Sequence, residues 1–513
     1  MATILRSHEI TEENFKHLSP DEAEQLYNGL DTCVTLEIFN KLQEYLDPVS
    51  EKTYNFSLAL QAPILEMTMR GVLIDLEYRE EVLAKYEKDI AHVERQLKQI
   101  VREAFGLPDF NFSSPHQTKT LFYNILNLSP IRKRNTHGVL VPTTNRDALE
   151  QLSVHYFAEP LCLRILALRD LEKKCQFLRT SLDPDNRVRT NFNIGGTDTG
   201  RLASSISDYG TGGNVQNIDR DLRRAFIADP GYKFANIDLE QADARNVGAK
   251  LWTLFRASHG ESFAGAYLDA CESGDLHTTV CKMAYPNLPW TGDPKKDKDL
   301  ADGTKAYRNY SYRDLSKKLG HGSNYVGRPR TMAKHAKIPM VQAETFQKSY
   351  FKGFAAIPLW HQWVAKQLVT EHQITTLFGR RRFFFDHPTD DATIRAAVAY
   401  EPQSMTADEI DTGLLQLWRA NICQLLIQVH DSILIQYPEE LEDEIVPQAV
   451  KLLGAPLILP GDRHFEVPRD VKVGWNWGDV VYDKDRNVID NPNGLVKYKG
   501  HDSRKKINTS FFR

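Results

Sequence analysis

Apolar residues recur at three- and four-residue steps from Val82 to Ala104, through Leu83, Tyr86, Ile90, Val93, Leu97, Ile100 and Val101. That period predicts one long amphipathic helix. Helical patterning also covers Asp21 to Tyr45 and the region from Arg146 to Leu182. Gly195-Gly196 and Gly210-Thr-Gly-Gly213 bracket a loop-rich section. The pattern then shortens. Phe234 to Ile237 forms a strand-like apolar run that ends on Asp238, and a helix is predicted after it through Leu254. Leu425 to Val429 and Ile433-Leu-Ile435 flank His430-Asp431, which predicts a strand, a tight bend and a second strand. Thr291 to Asp299 reads as an exposed loop, and the chain after Val480 reads as polar and loosely packed.

At 513 residues the chain is expected to form several domains. It has no apolar run near the ~20 residues of a membrane span, and Met1-Ala-Thr-Ile-Leu-Arg is too soon polar for a signal peptide. The six cysteines show no CxxC pairing, which argues against a zinc ribbon or a disulfide framework and for a reducing, cytoplasmic setting. The net charge of −4 is awkward for a nucleic-acid partner, but the charge is unevenly spread. Lys295 to Met340 carries 12 Lys/Arg against 4 Asp/Glu, whereas Glu439 to Glu444 is acidic. A basic channel lining and a solvated helix face explain that imbalance equally well.

Two acidic residues, Asp238 and Asp431, thus stand at the ends of strand-like runs. Between them Arg313, Lys317, His321 and Tyr325 recur every four residues along a predicted helix, on one slowly turning face. Paired carboxylates on adjacent strands and a cationic helix are what two-metal phosphoryl transfer requires. Each aspartate alone also has a structural reading, as a helix cap for Asp238 and as a turn cap for Asp431. Gly320, Gly322 and Gly327 weaken the helix and imply close approach of a ligand or of another backbone.

At these residues the sequence resembles family A DNA polymerases, the DNA polymerase I type, in an ordered series over about residues 20–480. Gly71-Val-Leu-Ile-Asp75 and Asn111-Phe-Ser-Ser-Pro-His-Gln117 resemble that family's thumb and its entry. Thr199-Gly-Arg-Leu-Ala-Ser-Ser205 and Asn214-Val-Gln-Asn-Ile218 resemble the segment that holds the primer end. Asp238 to Arg245 is similar to motif A, Asp275-Leu-His277 and Arg313 to Tyr325 to the fingers with motif B, and Gln428-Val-His-Asp-Ser432 to motif C after Gln403-Ser-Met-Thr-Ala-Asp408. Val473-Gly-Trp-Asn-Trp477 resembles the C-terminal strand. The resemblance implies an α+β right-hand fold with an antiparallel palm sheet and helical fingers and thumb. It implies a DNA-templated DNA polymerase of phage-like, replicative type that extends a primer 3′-hydroxyl with dNTPs.

By the same resemblance Asp238 and Asp431 hold two magnesium ions, with manganese as a substitute. Arg313, Lys317 and His277 contact the triphosphate, and Lys317 assists catalysis. His321, Tyr325, Gln241 and Asp243 surround the nucleotide. Arg201, Gln403, His430, Arg245 and Gln428 touch primer–template DNA. Lys133 and its neighbours Arg132 and Arg134 read equally as phosphate contacts or as a solvated loop. The implied domains are an exonuclease remnant at 1–58, a thumb at 59–185, palm at 186–260 and 395–490, fingers at 261–394 and a tail at 491–513.

The chain departs from the family pattern in several places. His321 stands where Phe or Tyr is usual, which predicts altered use of dideoxynucleotides, to be compared with His321→Phe and His321→Tyr. Asp243 replaces the usual Glu of the ribonucleotide gate, Ser432 replaces the usual Glu after Asp431, and Ala399 replaces a common Asn. Tyr27-Asn-Gly-Leu-Asp31 resembles the last motif of the 3′→5′ exonuclease domain without its earlier carboxylates. No proofreading by this chain is expected, and a separately encoded exonuclease is the expected partner. No thioredoxin-binding insertion and no membrane contact are implied. The competing readings are a catalytically silent, polymerase-derived nucleic-acid-binding scaffold and a single-subunit RNA polymerase.

Overall fold

A computed structural model describes residues 18–136, 138–307 and 310–506. The chain divides into two compact units, Gln61–Ala249 with Thr406–Arg513, and Met1–Leu60 with Lys250–Met405.

The first unit is organised by a five-stranded antiparallel sheet. Its strands are β1 (Tyr232–Leu239), β2 (Gln424–Val429), β3 (Ser432–Pro438), β4 (Arg469–Gly474) and β5 (Val496–Lys497), in the order β2-β3-β1-β4-β5. The hydrophobic runs that predicted β1, β2 and β3 are thus the centre and one edge of the sheet. Ala235, Ile237 and Leu239 are buried, while Asn236 and Asp238 lie half-buried on the opposite face of β1, as the two-residue period of a strand demands. β2 and β3 are buried almost throughout.

The same unit contains the expected long helix, Leu76–Phe105. Asp75 caps its first turn by accepting from the Tyr78 amide, and Gly106 closes it at φ +67°. Its buried Leu97 and Val101 face a core that includes Phe110, Phe122, Leu149, Leu161 and Ile165. The helical region predicted over 146–182 consists of two helices, Arg146–Leu152 and Glu159–Leu178. Pro160 sits in the first turn of the second, where a residue without an N–H starts a helix and cannot continue one. Gly212 lies at φ +68°, and a Cβ there would fall 1.8 Å from the Arg189 carbonyl oxygen.

Residues 481–490 are mostly exposed, as their polar appearance suggests, but residues 491–496 are packed. Asn491, Asn493 and Leu495 are buried. Arg504 donates to the carbonyls of Pro492, Gly494 and Val473, and stacks over Trp475. The Lys233 ammonium, on β1 and 2 % exposed, meets Glu442 at 2.6 Å and Asp502 at 2.9 Å. Polar composition hid this segment because charged pairs and backbone acceptors hold it alongside the few apolar side chains such as Leu495.

The second unit is mainly helical, with a core built around Tyr267, Phe346, Tyr350, Phe354 and Trp360. The loop expected over 291–299 begins a helix, Pro294–Gly303, capped by the Asp293 side chain. Asp297 is fully buried there, paired with Lys282 at 2.6 Å and accepting from the Thr291 and Gly292 amides. The predicted N-terminal helix is Pro20–Gln43, which opens with a Ser19–Glu22 capping box and buries none of its residues. Tyr27 and Asp31 are exposed on it. All six cysteines are free. No helix among the described residues is long and apolar enough to cross a membrane.

Candidate active site

The sheet brings Asp238 and Asp431 together. Asp238, next to last in β1, stands in register with Ser432 of β3 on one side and Asp470 of β4 on the other. The Leu239 amide donates to the Asp431 carbonyl at 2.9 Å, which ties the β2–β3 bend to the end of β1. His430 takes a left-handed φ of +55° in that bend. Burial, then the negative charges of Asp431 and Asp470, pushes the Asp238 carboxyl up to about 7. Burial also raises Asp431, against its own backbone amide, and the Asp243 charge adds to the rise.

No described side chain donates a hydrogen bond to either carboxylate. Two half-buried carboxylates that resist ionisation side by side, without a paired cation, form a hard-oxygen donor set that fits divalent magnesium or manganese. Ser432 adds no carboxylate, and its hydroxyl donates back to the Val429 carbonyl at 3.0 Å.

A polar network borders the pair in the same unit. Arg201 donates to Asp243 at 3.0 Å, Thr406 donates to the same Asp243 oxygen at 2.7 Å, and Asn246 donates to Thr406 at 3.2 Å. Gln216 donates to the Gln428 side-chain oxygen at 3.0 Å, and Gln428 donates to the His430 carbonyl at 2.7 Å. Gln216 belongs to the segment expected to hold the primer end, so the two motifs meet through this contact. Gln241 turns the chain from β1 into the Ala242–His259 helix at φ +56°. Arg245 is 6 % exposed and donates back to the Glu240 carbonyl at 3.1 Å.

His277, Arg313, Lys317, His321 and Tyr325 lie in the helical unit and form a set of their own. Arg313, Lys317 and His321 lie on the helix Tyr312–Asn324, whose N-cap is Ser311. Tyr325 lies just past its end at the C-cap, with its ring 4.7 Å from the His321 ring in an edge-on contact. The helix stops there because Val326 adopts φ +56°. A Cβ on Gly322 would meet the Met332 sulfur at 2.8 Å, and one on Gly327 would meet the Gly322 carbonyl oxygen at 2.5 Å. Gly327 therefore serves close packing of backbone on backbone, and Gly322 makes room for the Met332 side chain.

Asp275 caps the helix Leu276–Ala284 by accepting from the Thr278 amide, and pairs with Arg313 through Nε at 2.7 Å and Nη2 at 2.6 Å. His277 lies in the first turn of that helix. Burial holds its imidazole down at about 4, and the positive charges of Arg313, Lys317 and His321 add to the effect. Gln403 follows Pro402 inside the helix Asp391–Ala420. Arg132, Lys133 and Arg134 form one exposed strand of a hairpin with Leu140–Pro142 in the sheet unit.

Three participants were missed in the sequence. Asp470 is found only through the β1–β4 register and has no local signal, whereas Thr406 stood in the quoted Gln403–Asp408 motif but its role is found only through its contact with Asp243. Asp275 stood in a quoted motif, but its pairing with Arg313 spans 38 residues. The group formed by Glu442, Asp443 and His501 has metal-ligand chemistry, but Lys233 and Tyr437 already engage Glu442.

A family model described as DNA polymerase family A matches residues 77–479. The chain is 26% identical over 437 residues to a thermostable DNA polymerase I of Thermus filiformis, covering 81% of this chain and 46% of that protein. It is 26% identical over 492 residues to a DNA polymerase I of Chloroflexus aurantiacus, covering 90% of this chain and 47% of that protein. The chain thus spans about half the length of these curated relatives. Among solved structures it shares the fold of the POL domain of Pol1 from M. smegmatis, determined with DNA primer-template and dNTP, at a TM-score of 0.65 and 24% identity, over 82% of this chain and 69% of that one. The expected α+β polymerase fold is therefore borne out, and the chain belongs to DNA polymerase family A.

Proposed function

We propose that this chain is a DNA-templated DNA polymerase that joins a primer 3′-hydroxyl to the α-phosphate of a dNTP and releases pyrophosphate. The carrying observation is the Asp238–Asp431 pair, two half-buried carboxylates brought together by the sheet, with burial outweighing the nearby Lys472 and Arg201 charges and no ion pair to either among the described residues. Asp238 and Asp431 would hold the divalent ions, which when bound supply activation of the hydroxyl and charge balance on the leaving oxygens. Primer–template and dNTP are the ligands named for the M. smegmatis domain of the same fold, and we extend both to this chain.

Arg313 and Lys317 would bind triphosphate oxygens through charge-assisted hydrogen bonds, and Lys317 would offset the charge of the departing pyrophosphate. Neutral His277 would donate a further hydrogen bond to a phosphate. His321 and Tyr325, stacked edge-on, would border the sugar and base, with Gln241 and Asp243 shaping the sugar side. Arg201, Gln403, Gln428, His430 and Arg245 would position the primer–template. Minor-groove acceptors shared by all correct pairs let such contacts check geometry without reading sequence. The domain division given above, with palm aspartates, helical fingers and helical thumb, belongs to the same proposal. The phage replicative setting and a separate 3′→5′ exonuclease chain rest on the sequence resemblance alone.

Extension of a labelled primer with magnesium and either dNTPs or rNTPs tests this reading. Templated extension with dNTPs supports it. Equal or better extension with rNTPs favours an RNA polymerase, and duplex binding without extension by either favours a scaffold.

A further inference from the structure

The Asp275 carboxylate is half-buried between two groups of the proposed triphosphate site. It accepts from Arg313 Nε at 2.7 Å and from Arg313 Nη2 at 2.6 Å, a fork-on-fork pair. It also accepts from the Thr278 amide at 2.9 Å and the Thr278 hydroxyl, which fixes the turn that carries His277. Arg313 has five N–H donors. Asp275 uses Nε–H and one hydrogen of Nη2, while the third nitrogen, Nη1, lies 3.7 Å from Asp302, an exposed side chain. The guanidinium is therefore held in one plane with its Nη1 edge turned from Asp275. One acidic residue thus fixes both an arginine fork and the helix turn bearing a neutral histidine.

We infer that Asp275 is a positioning residue for the nucleotide triphosphate, acting through Arg313 and through the His277 turn. It orders the Arg313 fork before the nucleotide arrives, so that binding does not have to immobilise a long side chain. The inference rests on the polymerase reading above. Disorder of one such side chain opposes binding by about 0.5–1.5 kcal/mol, which corresponds to roughly two- to twelvefold in nucleotide affinity.

The test is steady-state single-nucleotide incorporation by Asp275→Asn and Asp275→Ser. Both side chains are good N-caps, so the Leu276–Ala284 helix keeps its start while the ion pair is lost. KM for the templated dNTP is expected to rise up to about tenfold, with the Kd for primer–template unchanged. A double-mutant cycle with Arg313→Gln separates positioning from general support. If Asp275 acts through Arg313, Asp275→Asn adds little in the Arg313→Gln background. An unchanged dNTP KM in both single variants would overturn the inference, and so would full additivity in the cycle. A wild-type chain that extends no primer refutes the polymerase reading itself, whereas a wild type that extends while Asp275→Asn behaves like it refutes only this inference.

Discussion

Replacing Asp238 by Asn is predicted to stabilise the cation-free protein while removing its response to magnesium. In the folded chain the Asp238 carboxyl keeps its proton up to about 7, against an ordinary 3.8. Between those values the folded state binds more protons than the unfolded state, so this group's contribution to stability is complete below about pH 4 and is lost as pH rises through 7. The full displacement corresponds to at most ~4 kcal/mol of penalty for the ionised form. The site is partly open to solvent, and screening leaves roughly 1–2 kcal/mol. Asp238→Asn removes that penalty, so its melting temperature in chelator at pH 8 should exceed that of wild type by about 2–4 °C. At pH 4 the two proteins should melt together. Magnesium at ten times its Kd should stabilise wild type by about 1.4 kcal/mol and the variant hardly at all. Thermal melts from pH 4 to 8, in chelator and in magnesium, measure both effects. A variant that melts below wild type in chelator at pH 8, or that gains as much as wild type from magnesium, refutes the reasoning.

Three further outcomes are expected. His277 titrates with the opposite sign. Its imidazole is held at about 4 against an ordinary 6.5, so stability should fall as pH drops from 6.5 to 4, and His277→Gln should remove roughly 1–2 kcal/mol of that fall in denaturant titrations; parallel pH profiles would count against it. Lys233→Met leaves Glu442 and Asp502 without their shared ammonium and should cost about 3–5 kcal/mol, read as a lower denaturation midpoint, with an unchanged midpoint as the contrary result. Gly212→Ala combines a left-handed backbone, which alone costs about 1–2 kcal/mol, with a collision on the Arg189 carbonyl. It should therefore yield little soluble folded protein, whereas wild-type yield and melting would contradict the account.

The parts of the fold that the sequence disclosed are those with local causes. The β2–β3 hairpin follows from two dense Leu/Ile/Val arms around His430-Asp431, and the Leu76–Phe105 helix from its apolar spacing and the Asp75 and Gly106 ends. Asp238 was visible as the end of an apolar run. That Asp470 stands opposite it was not, because register between β1 and β4 links residues 232 positions apart in sequence and leaves no periodic trace. Polar segments were misread for a related reason. Asp297 and Arg504 are held by specific partners, Lys282 for one and three carbonyls with Trp475 for the other, so burial there does not track hydropathy. Tyr325 was placed on the helix by its four-residue spacing, but the left-handed backbone at Val326 ends the helix before it.

The central claim is that Asp238 and Asp431 carry templated nucleotide addition. Its most direct measurement is single-nucleotide incorporation opposite each of the four template bases, by wild type and by Asp431→Asn, at matched occupancy of the primer–template. The account predicts that wild type adds the complementary nucleotide with magnesium and none in chelator. It predicts that Asp431→Asn loses about 100-fold or more in rate, as removal of several kcal/mol of metal-borne charge stabilisation implies, while its DNA affinity stays within about twofold of wild type. Incorporation by Asp431→Asn at the wild-type rate, or a wild type that binds the duplex and adds nothing, would contradict it.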